Sequence, residues 1–156
     1  MSKNVFSAEN QQERLPKLLP DYIVGLVDGE GYFSVSATID RSKNYLSRRV
    51  RLVFGVKIKE EDGGILYRLK ETFGCGEVSR KIDTRPKFSN CLEYQVRDYT
   101  DIKTIIIPFF QKYRLQIRSK RASFEGFCKI GDFFEKKIHL TEEGFEKVKN
   151  LAKAIH

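Results

Sequence analysis

Two acids separated by one glycine, Asp28 and Glu30, close an apolar stretch that runs Asp21-Tyr22-Ile23-Val24-Gly25-Leu26-Val27-Asp28-Gly29-Glu30-Gly31. The stretch reads as a short helix. Gly25 and Gly29 lie four residues apart and share one face, where missing side chains let another backbone approach closely. Ile23, Val24, Leu26 and Val27 cover the rest in hydrocarbon, which predicts a helix buried all round. The C-terminus of a helix already carries partial negative charge, so acids there are disfavoured unless something positive, such as a metal ion, sits against them. Divalent metals held by carboxylates can activate water, stabilise charge on a phosphate and help an oxygen leave, the three needs of phosphodiester hydrolysis.

The elements around this stretch follow from periodicity. Tyr32 to Ile39 alternates, with Phe33, Val35, Ala37 and Ile39 on one side and Tyr32, Ser34, Ser36 and Thr38 on the other. Arg49 to Lys59 alternates more sharply, with Val50, Leu52, Phe54, Val56 and Ile58 inward and Arg49, Arg51, Val53, Gly55, Lys57 and Lys59 outward. A basic connection joins the two strands into a hairpin. Glu61 to Phe73 has helical spacing and stops at Gly74. Glu77 to Asp83 and Cys91 to Asp98 form a second strand pair around the basic turn Thr84-Arg85-Pro86-Lys87. Asp101 to Tyr113 is helical with an interruption at Pro108. Ser119 and Thr141 are positioned to cap two further helices. The result is an α+β domain, a four-stranded antiparallel sheet with helices on one face, over residues 21–156, preceded by an arm over 1–20 with a short helix before Pro16.

The chain has 156 residues and a net charge of +8, from 29 Lys and Arg against 21 Asp and Glu. That excess points to a polyanionic partner, most simply nucleic acid. No segment approaches the ~18 unbroken apolar residues of a membrane span. Cys75, Cys91 and Cys128 are odd in number and widely spaced, as expected of reduced thiols in an intracellular protein. The first twenty residues hold Glu9 and Glu13 and no apolar core, so no secretory signal is read there. The expected compartment is an organelle (mitochondrion or chloroplast) or a bacterial cytoplasm.

The sign of the second face of the sheet is informative. All four charged outward residues of the second strand are cations, and both inter-strand loops are basic. A curved sheet of that kind can lie in a DNA groove and read base edges. Strand parity and loop position nominate Tyr32, Ser34, Ser36, Thr38, Lys43, Arg48, Arg49, Arg51, Lys57, Lys59, Ser79, Lys81, Arg85, Lys87, Gln95 and Arg97 as DNA contacts.

The nonamer Ile23-Val24-Gly25-Leu26-Val27-Asp28-Gly29-Glu30-Gly31 resembles the signature motif of the LAGLIDADG homing endonucleases in its glycines, apolar positions and terminal acids. The resemblance implies an αββαββα core with the sheet as a DNA saddle, which agrees with the derived order. It implies a site-specific, intron-encoded double-stranded DNA endonuclease using Mg²⁺, with Mn²⁺ as a substitute and Ca²⁺ binding without cleavage. Glu30 and the Gly29 carbonyl would hold the metal, with Asp28 beside the helix interface. Arg118-Ser119-Lys120-Arg121 resembles the family segment that carries a supporting lysine, matched best by Lys120, with Arg118 as the alternative. Only one motif is found, which implies a homodimer through Gly25, Gly29, Ile23, Leu26 and Asp28, and a pseudo-palindromic target. One departure stands out: relatives often carry Gln near the end of the second strand, where this chain has Ile58. The rival expectation is a non-cleaving module of the same fold, such as an intron RNA maturase, with RNA as its partner.

Overall fold

The computed structural model describes residues 15–42 and 45–156. Helix α1 (Pro20–Glu30) leads into β1 (Gly31–Asp40) and β2 (Ser47–Lys59); a 3₁₀ turn (Glu60–Asp62) leads into α2 (Gly64–Phe73), then β3 (Glu77–Lys81) and β4 (Cys91–Val96). Helical turns Tyr99–Asp101 (α3), Ile102–Ile106 and Ile107–Lys112 (α4) follow, then α5 (Arg118–Glu135), a 3₁₀ turn (Ile138–Leu140) and α6 (Glu142–Ile155). The expected order of elements and the α+β class are both observed.

The four strands lie in the order β1-β2-β4-β3, and all three pairings are antiparallel. Register keeps the apolar parity on one side: Phe33 faces Phe54, Val35 faces Leu52, Phe54 faces Val96 and Val56 faces Tyr94. Alternating side chains thereby place one apolar sheet face against the helices. Phe33 sits at the centre of that layer, 5.2–5.7 Å between ring centroids from Phe54, Phe110, Phe124 and Phe127. Burial of these rings supplies the dominant favourable term for the domain.

Local chemistry explains the helix boundaries. Gly74 adopts φ 72° and ends α2 in the left-handed conformation that glycine tolerates. Thr141 accepts a bond from the Gly144 amide and caps α6, as expected from the sequence. Pro108 does not stop its helix. A π-turn over Ile102–Ile106, closed by the Ile107 amide on the Ile102 carbonyl, widens the backbone just ahead of it, where a proline would otherwise meet the preceding turn.

Two expectations are corrected. Ser119 is not a cap: α5 begins at Arg118 with Ile117 at its N-cap and no capping side chain of its own. Nor is α1 buried all round, since Tyr22, Gly25 and Gly29 are exposed while Ile23, Val24 and Val27 are buried. Of the arm expected over 1–20, residues 1–14 lie outside the described residues. Residues 15–19 dock on α2, where the Leu18 amide donates to Thr72 and Arg68 donates to the Pro16 carbonyl.

Candidate nucleic-acid interface and hydrolytic site

The end of α1, the start of α5 and the start of β1 converge. The Asp28 carboxylate accepts the backbone N–H groups of Gln116 at 2.9 Å and Ile117 at 3.1 Å. These amides open α5, whose N-terminus carries the partial positive charge that Asp28 needs. An acid at the end of α1 is expected to need something positive against it, and for Asp28 the start of another helix supplies it. Arg121 closes the same loop from behind, donating to the carbonyls of Leu115 and Gln116. Nothing in the residue pattern singles out Arg121, because its partners are backbone atoms.

With α5 anchored this way, the Lys120 amine reaches the Gly31 carbonyl. Arg118, one helical turn-fraction earlier, is exposed, so of the two candidates only Lys120 is bonded to the end of the motif. Glu30 is exposed beside it and takes part in none of the ion pairs among the described residues.

Gly25 and Gly29 present an open face: a Cβ added at either would meet nothing within 4 Å. Leu26 is half-buried and leans on the core. Ile23 is corrected as a partner contact, since it is 0% exposed inside its own protomer.

The outer sheet face carries Tyr32, Ser34, Ser36 and Thr38 from β1, Arg49, Arg51, Lys57 and Lys59 from β2, Ser79 and Lys81 from β3, and Gln95 from β4, with Arg97 just beyond it. Arg48 is corrected. It shares the parity of Val50, and its guanidinium bonds the Leu140 carbonyl on the helix side. Ile58 also lies on the helix side, opposite Leu92 and against the core. It is therefore not exchanged for a polar group on the face where water would be held. Lys43 lies outside the described residues. Arg49 pairs with Asp40 at 3.3 Å. Arg85 forks onto Asp83 and lies 3.9 Å over the Phe88 ring, and its guanidinium holds the Asp83 carboxyl down at about 2. Lys87 sits exposed in the same turn with φ 73°.

Two further positions shape the outer face. Glu93 is only 8% exposed among the cations, 3.8 Å from Lys81, and Gly55 lies buried beneath the Tyr32 ring. A glycine inside a run of strand formers is itself a signal of close approach.

A four-stranded antiparallel sheet with a basic outer face thus lies beside a glycine-faced helix that ends on an acid. The LAGLIDADG endonuclease family model matches residues 23–131, and the chain belongs to that family. It is 31% identical over 132 residues to the probable intron-encoded endonuclease 3 of Neurospora crassa, covering 85% of this chain and spanning 23% of that relative's length. Among solved structures it matches the homing endonuclease I-TnaI at TM-score 0.76 and 32% identity, over 88% of this chain and 87% of the other. It matches I-SmaMI, bound to uncleaved DNA target with calcium ions, at TM-score 0.78 and 31% identity, over 90% of this chain and 45% of that one.

Proposed function

We propose that the chain is a site-specific double-stranded DNA endonuclease that hydrolyses phosphodiesters with a divalent cation, acting as a homodimer on a long pseudo-palindromic target. The observation that carries this reading is the Lys120 amine on the Gly31 carbonyl, beside the exposed Glu30 at the rim of the basic sheet face. An acid, an amine and a polyanion-binding surface in one place are what phosphodiester hydrolysis uses.

Glu30 and the Gly29 carbonyl are hard oxygen donors of the kind Mg²⁺ takes, with Mn²⁺ as a substitute and Ca²⁺ as a binding-only ion. No group of three or more acidic, His or Cys side chains gathers among the described residues. Two such donors leave room in the oxygen shell for DNA phosphate, water and the second motif of a homodimer. Such a cation would supply an activated water and neutralise charge on the phosphate. Lys120 holds the Gly31 carbonyl and brings a positive charge to the same rim. Asp28 fixes α5 so that Lys120 stays there.

Gly25 and Gly29 supply the pairing face, with Leu26 at its edge. Pairing there would bring two Glu30 carboxylates together, one for each strand of the target. The outer-face residues Tyr32, Ser34, Ser36, Thr38, Arg49, Arg51, Lys57, Lys59, Ser79, Lys81, Gln95 and Arg97 are the proposed DNA contacts, extended by Arg85 and Lys87 in the β3–β4 turn.

The test is cleavage of a randomised DNA library with Mg²⁺, beside Glu30→Gln and Ca²⁺ controls. Staggered cuts at a pseudo-palindrome, absent in both controls, are expected. Enrichment of DNA or structured RNA with no cutting would move the reading to a maturase-like module.

A further inference from the structure

Gly55 is the one outer-face position of β2 without a side chain. It pairs with Tyr32 on one side and Gln95 on the other. A Cβ built there would overlap the Tyr32 ring and hydroxyl, so the glycine provides the space in which the ring lies across β2. From that seat the Tyr32 hydroxyl accepts the Gln95 side-chain N–H at 2.6 Å. The Gln95 carbonyl in turn accepts Nε and Nη2 of Arg97 at 3.1 and 2.5 Å. Side chains from β1, β4 and the residue just after β4 thus form one chain of bonds over a glycine.

The arginine at its end is exposed and takes part in none of the ion pairs among the described residues. Guanidinium has five N–H donors. The two used on Gln95 leave three, of which one on Nη1 and one on Nη2 point side by side. That pair matches O6 and N7 of guanine in the major groove. An arginine held in advance also loses less side-chain freedom on binding.

We infer that Gly55 is a specificity-determining position, which seats Tyr32 so that Tyr32 and Gln95 present the Arg97 fork to a guanine in each half-site. The inference rests on the proposed DNA-binding role of the sheet face. Gly55 and Gln95 act as positioning residues, and Arg97 makes the contact.

The experiment selects binders from a randomised duplex library with the full chain in Ca²⁺, for wild type, Arg97→Ala, Gly55→Ala and Tyr32→Phe. Wild type is expected to prefer guanine at one position of each half-site by about tenfold or more. Arg97→Ala removes the preference at that position alone. Gly55→Ala and Tyr32→Phe, with Arg97 still present, weaken it there by roughly threefold or more while other positions keep theirs. A second readout needs no DNA: the Arg97 Nε–H resonance is exchange-protected in wild type and loses protection in Gly55→Ala, whose backbone spectrum stays native-like. Full guanine preference in Gly55→Ala, or an even loss across all positions, overturns the inference and leaves the endonuclease reading intact. A wild-type chain that selects no sequence overturns that reading and this inference with it.

Discussion

The carboxylate of Asp28 and the backbone N–H of Ile117 are 3.1 Å apart, joining the last turn of α1 to the N-cap residue just ahead of the first turn of α5. The contact turns two unfavourable ends into one favourable pair. An acid sits at the negative end of its own helix and the positive end of another, and it caps the latter across the chain. Because Lys120 lies in that first turn of α5, the same carboxylate that stabilises the fold also sets the amine over Gly31. Asp28→Ala is expected to cost about 1–2 kcal/mol, the usual worth of a lost cap, measured by urea denaturation. Asp28→Asn, which keeps one carbonyl acceptor, should cost less than the alanine. Cleavage should fall in the order wild type, Asn, Ala, and equal stability of all three would sink the capping role.

Glu30 behaves differently because it is exposed and unpaired among the described residues. Removing its charge leaves no buried partner behind and relieves an acid at a helix C-terminus. Glu30→Gln should therefore leave stability within about 0.5 kcal/mol of wild type, while cleavage drops by about a hundredfold or more. DNA binding in Ca²⁺ should survive. Thermal melts and gel-based cleavage measured on the same preparation check both halves.

How much of this was legible in the sequence depends on the kind of signal. The strands were legible to within two residues because Phe33, Val35, Leu52 and Phe54 alternate without a slip, and the observed pairing keeps that parity. Parity also placed Gln95 and Ser79 on the outer face. At Arg48 the clustered cations outweigh parity, which puts 48 and 50 on one side. The open face of α1 is not legible, because hydrocarbon content does not reveal which face a single chain leaves open. That a helix start supplies the positive partner of Asp28 is not legible, because its partners are two main-chain amides 88 and 89 residues away, and no side chain announces an amide. Pro108 was read as an interruption, since a π-turn that accommodates it leaves no mark in composition.

The glycine face gives a prediction in which fold and assembly move in opposite directions. A side chain at Gly25 meets nothing within 4 Å in the protomer. Replacing glycine in a helix removes a cost of about 0.8–1 kcal/mol. Gly25→Leu should therefore raise protomer stability slightly while blocking close approach of a second helix. Light scattering after size exclusion should find a dimer for wild type and a monomer for the variant, with cleavage lost. A dimeric Gly25→Leu would place the pairing face elsewhere.

Alkaline pH should unfold the protein through groups that are neutral when buried. Burial pushes the Cys128 thiol up to about 12 from an ordinary value near 9, helped by the charges of Asp132 and Glu125. Burial likewise drives the Tyr94 hydroxyl, bonded to the Cys75 carbonyl at 2.8 Å, well above the usual phenol range. In both cases the unfolded chain gives up its proton first, so the stabilisation is complete below about pH 9 and declines as the pH rises toward the folded-state values. Each group can contribute a slope of at most about 1.4 kcal/mol per pH unit. Urea midpoints measured from pH 8 to 10.5 should fall for wild type and fall less steeply for Cys128→Ala, which removes the lower-lying of the two. Cys128→Ala loses some packing at pH 8, so the informative quantity is the slope. Parallel curves for the two proteins would show that Cys128 is already free to ionise in the fold.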